Sequence, residues 1–245
     1  MKQNWINKMT IPKLHISKGS FKLEKIDNIS TNTLSNKYCI KQNKKDNIIC
    51  KVCYSFKGLN FRKTMIPLLE NNSKLLSTNI IDIDFLPIIY NIYFRFNSHG
   101  ELINEIHLIN LINIVNKNKH CNFALWTKRN DIIKKYFDKN IKPNNLILIY
   151  SNPKLDKPLE KLPKYFDKTF NNVIKLSYKD YFNKYTMFID DELIDNTLKR
   201  NIKKQYDIYK NDFNKNTKVN CFQKCIDCLK CYKHNNIKTI IEIAK

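Results

Sequence analysis

Residues 61–153 alternate helical and extended patterns, and that alternation leaves few folds open to the chain. Residues 61–76 read as a helix, with Met65, Leu68, Leu69, Leu75 and Leu76 on its apolar face. Pro67 falls in its second turn, close enough to the start to be tolerated. Residues 87–96 form an apolar run rich in β-branched and aromatic side chains, the pattern of a buried strand. A polar turn follows, Asn97-Ser98-His99-Gly100-Glu101, and then a helix over 103–116. Residues 121–127 repeat the strand, Lys128-Arg129 the turn, and 131–137 the helix, capped by Asn130 or Asp131. A third strand over 145–150 ends in Ser151-Asn152-Pro153. This order predicts an α/β fold: a parallel-stranded partial (β/α) barrel with right-handed crossovers. Ligands bind such folds beyond the carboxyl ends of the strands. Residues 97–101, 127–129 and 151–152 are therefore expected on one rim.

The flanks are less regular. Phe21, Leu23 and Ile26 suggest a first strand within an N-terminal segment, residues 1–38. From Pro153 on, three prolines (Pro153, Pro158 and Pro163) mark a loop, 173–178 and 185–189 suggest strands, and 193–209 suggests a helix. A polar linker over 210–218 leads to a cysteine-rich segment and a closing strand over 239–243. The expected division is 1–38, a barrel with its cysteine loop over 39–210, and a cysteine-rich C-terminal segment over 211–245.

Seven of the eight cysteines fall into two groups, Cys39-x10-Cys50-x2-Cys53 and Cys221-x3-Cys225-x2-Cys228-x2-Cys231. The first 20 residues lack an apolar signal core, and no apolar run is long enough to span a membrane. A soluble, cytoplasmic protein with no membrane partner is expected. In that reducing setting clustered thiols point to metal rather than to disulfides. Three thiolates in one loop suit a 4Fe–4S cluster whose fourth iron stays open to a small molecule, whereas zinc wants a fourth ligand. Four cysteines within eleven residues resemble ferredoxin-type cluster spacing more than a split zinc knot, and suggest an auxiliary cluster. Zinc remains the alternative at both. Cys121 stands alone and reads as a small buried hydrophobe.

The net charge of +22 suggests a nucleic-acid partner, with a solvated cationic surface as the plainer account, since the lysines are spread along the chain. Only four of the 44 basic residues are arginines. Arg95 and Arg129 fall near consecutive strand ends, where the planar guanidinium suits a carboxylate or phosphate, or a surface ion pair. The chain has three glycines, so Asn is expected to serve most turns. Gly100-Glu101 at a strand end lets backbone approach a ligand while the carboxylate takes an ammonium group. The plainer account is a capping box, Ser98 with Glu101.

The motif order Cys50-x2-Cys53-Tyr54, then Asn97-Ser98-His99-Gly100-Glu101, Trp126-Thr127-Lys128, Ser151-Asn152-Pro153 and the terminal cysteines resembles the phage gene product 88 family. The layout also resembles a radical-SAM partial barrel. That resemblance implies a 4Fe–4S cluster on Cys39, Cys50 and Cys53, and S-adenosylmethionine held by Arg95, Ser98, Gly100 and Glu101. The spacing departs from the usual x3, and His99 stands where that motif has its first glycine. Two readings follow: a radical-SAM-like iron–sulfur enzyme of unknown substrate, or a basic zinc protein that binds nucleic acid through a fold held by its cysteines.

Overall fold

The structure, a computed structural model, describes residues 13–157, 159, 161–173, 182, 186, 189–216, 220–221 and 223–244. Six strands, β1 (Asn28–Ile29), β2 (Tyr93–Phe96), β3 (Asn122–Thr127), β4 (Leu146–Leu155), β5 (Lys168–Val173) and β6 (Thr239–Ile243), lie side by side in chain order. Every pairing is parallel, and the sheet is open, with β1 and β6 at its edges. Between β1 and β2 come α1 (Lys37–Asn43), α2 (Tyr54–Phe61) and α3 (Met65–Thr78). Next are α4 (Glu105–Lys117) after β2, α5 (Asn130–Phe137) after β3, and α6 (Asn196–Asn216) after β5.

Parallel neighbours in chain order need crossovers of one hand, which puts the crossing helices on one face of the sheet. There Phe94, Phe96, Phe123, Leu125, Leu146 and Leu148 meet Leu76 of α3, Leu108, Leu111 and Val115 of α4, and Ile133 of α5. Phe96 and Phe123 stack with ring centroids 5.2 Å apart. On the other face Ala124, Trp126, Ile147, Ile149 and Ile240 are covered by Ile26, Cys231 and Tyr232, helped by Ile226 and Leu229. A strand buried on both faces reads as a continuous apolar run, which explains why β3 and the first half of β4 stand out in the sequence.

Buried asparagines tie the loops to the helices. Asn72 accepts from the His15 amide at 2.8 Å and donates to the carbonyls of His15 and Ser30, each at 2.9 Å. Asn110 accepts from the Ile81 amide and donates to the Leu76 carbonyl, both at 2.8 Å.

Several expectations are corrected. The first strand is not at residues 21–26: Phe21–Leu23 is a 3-10 turn, and the strand lies at Asn28–Ile29. Positive φ at Phe21 and Lys25 breaks the extended chain. A Cβ on Gly19 would lie 1.9 Å from the Leu23 carbonyl oxygen, so that loop closes too tightly for a side chain there. The helix expected over 61–76 is α3, which starts four residues later with Pro67 in its first turn, and the helix α2 before it was not expected. Of the strand expected over 87–96 only Tyr93–Phe96 pairs in the sheet. Asn118 and His120 side chains instead hold the Ile89 amide and carbonyl, at 2.7 Å each. β4 runs through the expected turn at 151–153 with a register shift, and α6 runs through part of the expected linker. Of the strand expected over 173–178 only Val173 is described, and it ends β5. Most of the one expected over 185–189 lies outside the described residues. No helix among the described residues is long and apolar enough to cross a membrane.

Candidate functional site

A cavity of about 400 Å³ opens where the strands end, within the usual size of small-molecule sites. Asn97 to Glu101 after β2, Lys128 after β3, Ser151 of β4, Phe170 and Asn172 of β5, and Glu242 of β6 all line it. So do six cysteines, three from each group. The rim expected from the strand ends is therefore present, although Thr127, Arg129 and Asn152 lie behind it.

The first cysteine group follows β1. The Asn36 side chain caps α1, accepting from the amides of Tyr38 at 3.0 Å and Cys39 at 3.2 Å. Cys39 is thereby fixed in the first turn of α1, Cys50 lies in the 3-10 turn Ile49–Val52, and Cys53 precedes α2. A bridge between Ile48 and Lys154 fastens this loop to the extended end of β4. Burial above all pushes the Cys39 and Cys50 thiols up, with Glu101 and the neighbouring cysteines adding to it and Lys128 opposing. Burial works against the Lys128 charge, yet Cys50, Glu101, Cys53 and Cys39 around it raise its pKa overall.

A hydrogen-bonded chain joins this loop to the β2 turn. The Gly100 amide donates to Thr33 Oγ1 at 2.8 Å, Thr33 and Ser55 share a hydroxyl contact, and Ser55 Oγ lies 2.8 Å from His99 Nδ1. Burial, then Arg95 and Arg62, lower the His99 pKa to about 4, so its ring is neutral at neutral pH. Gly100 has φ +79°, and a Cβ there would sit 2.1 Å from Thr31 Oγ1, so the space beside it belongs to the β1 loop.

Glu101 is 4 % exposed. Its carboxylate accepts from Thr127 Oγ1 and from the amides of Leu102 and Lys128, each amide at 2.8 Å. Its own carbonyl accepts from Asn36 at 2.9 Å. The capping box is overturned: α4 begins at Glu105, and its cap is Asn104, which accepts from the His107 amide at 2.9 Å.

Two polar atoms at this end of β2 are buried without a partner among the described residues: Ser98 Oγ and Arg95 Nε. The Arg95 guanidinium lies 3.9 Å from the centre of the Trp126 ring, and Tyr232, Tyr54, Cys225 and Cys231 surround its charge. Arg129 differs. It makes a two-pronged contact to Asp131 in its own turn and donates to the carbonyls of Leu102 and Ile103, so it braces the rim.

The second group lies on the face with Ala124, Trp126 and Ile147, opposite α3, α4 and α5. Cys225 and Cys228 begin and end one helical turn, Leu229 closes it with a left-handed backbone, and Cys231 is buried beside Tyr232. Cys221, Cys225 and Cys231 reach the cavity, and Cys228 does not. Lys22 donates to the Cys221 sulfur at 3.1 Å and to Glu242. Burial pushes Cys225 and Cys231 up. All eight cysteines are free thiols. Cys121 is fully buried in the core, and burial raises its pKa to about 12. Among the described residues no three His, Cys, Asp or Glu side chains converge on a point where one metal ion could sit.

Sequence reasoning placed Lys128 on the rim without giving it a role, and missed Asn36, Thr33, Ser55 and Lys22 as parts of this site. Lys128 carried a signal, because it ends the Trp126-Thr127-Lys128 run at a strand terminus. The others are common polar residues in polar stretches, and only the fold gives them partners.

The family model described as gene product 88 matches residues 7–234. No curated protein and no solved structure matches the chain.

Proposed function

The chain belongs to the gene product 88 family, and we propose that it is an iron–sulfur protein whose cavity is a radical-SAM-like active site. One observation carries the reading: six of the seven grouped cysteines line a single cavity at the ends of a parallel sheet. Each thiolate of a cluster binds a different iron, so a cluster asks for less convergence of its ligands than a single zinc ion does. Cys39, Cys50 and Cys53 would hold a 4Fe–4S cluster, and Cys221, Cys225, Cys228 and Cys231 an auxiliary one. The first cluster, once reduced by an external electron donor, would supply the one-electron chemistry that cleaves S-adenosylmethionine to a hydrogen-abstracting radical.

The chain's own groups do the rest. Ser98 Oγ and Arg95 Nε, buried and unpartnered, are the free polar contacts for S-adenosylmethionine. Gly100 and Glu101 set the backbone of that pocket, with the Glu101 carboxylate facing its ammonium. Lys128 places a cation beside the first thiolates. Tyr38, Tyr54, Phe56 and Trp126 wall the cavity against water. Arg95, on Trp126, sits beside Cys225 and Cys231 of the second group.

The test is anaerobic purification, metal and sulfide analysis, and EPR of the reduced protein. About eight irons per chain are expected, with an EPR signal that changes on adding S-adenosylmethionine. Cys50→Ser with Cys53→Ser should remove about half the iron and that response. A colourless protein holding one or two zinc ions would overturn the reading and leave the basic zinc-binding alternative.

A further inference from the structure

The cysteine loop has a second face. From Lys37 to Lys63 the chain carries eight basic residues and one acidic residue, Asp46, a net +7 in 27 residues against +22 for all 245. All eight basic residues are exposed. Among the described residues only Lys51 of the eight forms an ion pair, with Asp46. Exposed aromatics stand among them. Tyr54 is 58 % exposed and Phe61 89 %, seven residues apart on one side of α2 with Lys57 between them. Phe21, 83 % exposed, stands at the cavity edge beside Lys22. A lysine-rich composition explains scattered charge. It does not explain Phe21 and Phe61, large apolar rings open to water, Phe21 at the cavity edge and Phe61 next to Arg62 and Lys63, which is costly unless something covers them.

We propose that this surface binds single-stranded nucleic acid across the cavity mouth, so that the substrate of the site is a nucleotide within a strand. The loop's lysines and Arg62 meet phosphates, and Phe21 and Phe61 stack on bases, the pairing by which single strands are held without sequence preference. A single strand is favoured over a duplex because bases must leave their stack to reach either the rings or the cavity. The substrate assignment rests on the cavity being the active site, but strand binding itself does not depend on iron.

The experiment is fluorescence anisotropy with labelled 20-nucleotide oligo-dT and oligo-rU and a 20-base-pair duplex, on metal-free and iron-loaded protein, over a range of salt. Both single strands should bind several-fold tighter than the duplex, with or without iron. The triple variant K41E/K44E/K45E should weaken binding at least tenfold and flatten the salt dependence. F21A/F61A should weaken it roughly tenfold with the salt slope unchanged. K119E/K134E/K139E, an equal charge change outside the loop, should alter it less than twofold, and thermal melts of each variant check folding. Equal losses from both triple variants, no effect of F21A/F61A, or equal affinity for the duplex would each overturn the proposal, as would tight loop-dependent binding to phosphatidylserine vesicles that oligonucleotides do not displace. Zinc in place of iron would overturn the active-site reading while leaving strand binding intact. Loss of strand binding with two clusters present would overturn only this proposal.

Discussion

Gly100 is held by a neighbouring loop rather than by a ligand. Its φ of +79° and the 2.1 Å gap that a Cβ would leave to Thr31 Oγ1 both exclude a side chain, and the Thr31 carbonyl oxygen stands only 2.6 Å away. Gly100→Ala should lower stability by about 2–4 kcal/mol, read as a shift in urea midpoint, because strain and clash add. Gly58 sits inside α2 with open space around it, and Gly58→Ala should raise stability by about 0.5–1 kcal/mol. The two glycines look alike in the sequence, so opposite signs test the geometry itself. His107 gives a pH-dependent counterpart. Its Nδ1 accepts from the Ile103 amide at 3.3 Å, its Nε2 is buried without a partner among the described residues, and burial alone lowers its pKa to about 3. The unfolded value is about 6.5. Above that pH the ring is neutral in both states and contributes no pH dependence. Between about 6.5 and 3 the unfolded chain takes up a proton that the folded chain refuses, so stability falls as pH falls, by up to about 1.4 kcal/mol per pH unit. His107→Leu should cost stability at pH 7, through the lost acceptor, and flatten this acid limb. Parallel wild-type and variant curves from pH 7 to 4 would contradict the assignment.

Among the elements, α1 depends on one residue for its start and for its place at the site. Asn36 holds the first amides of α1 with its oxygen and the Glu101 carbonyl with its nitrogen, so it joins the cysteine loop to the β2 turn. Asn36→Ala should destabilise the protein by about 1–2 kcal/mol. It should also lower iron retained after desalting, because Cys39 loses its fixed helix. Asn36→Asp, which keeps the cap, should recover part of the stability. An iron content equal to wild type in Asn36→Ala would separate α1 from the metal site. How visible each element was follows from what it buries. β3 and the first half of β4 are apolar on both faces and could be read directly, as could β6, Thr239–Ile243, whereas β2 is apolar only on the face of Phe94 and Phe96. β5 could not: it reads Lys168-Thr169-Phe170-Asn171-Asn172-Val173, and its polar side chains are buried through hydrogen bonds. Lys168 Nζ donates to Asn235 Oδ1 at 2.7 Å and to the Ile237 carbonyl at 2.9 Å. Asn171 Oδ1 accepts from Asn152 at 2.9 Å. Hydropathy periodicity carries no trace of such a strand. β1, two residues long, is too short for any period. The cysteines declared themselves by spacing, but their shared cavity did not, because it requires the segment after Asn220 to return across the sheet.

At the scale of the molecule, that return solves a problem set by the topology. A sheet wound in one direction has its crossing helices on one face and needs another cover for the other. Here the cover is the second cysteine segment: Ile226, Leu229, Cys231 and Tyr232 pack on Ala124, Trp126, Ile147 and Ile149. The same residues therefore complete the core and carry the candidate ligands. Deleting residues 217–245 removes that cover together with β6 and leaves β5 as an unpaired edge. The shortened chain should bind ANS strongly and lose its cooperative urea transition, since one apolar face of the sheet is then open to water. Cys225→Ser with Cys228→Ser is the informative comparison. It leaves Tyr232, Leu229 and Ile226 in place, so ANS binding should stay low and unfolding cooperative even though two of the four candidate ligands are gone. If the deletion instead melts cooperatively without ANS binding, the second face is not a core, and the C-terminal cysteines lie at the cavity for their chemistry alone. If the double serine variant behaves like the deletion, the cover is held by metal rather than by packing, and core and cluster form one cooperative unit.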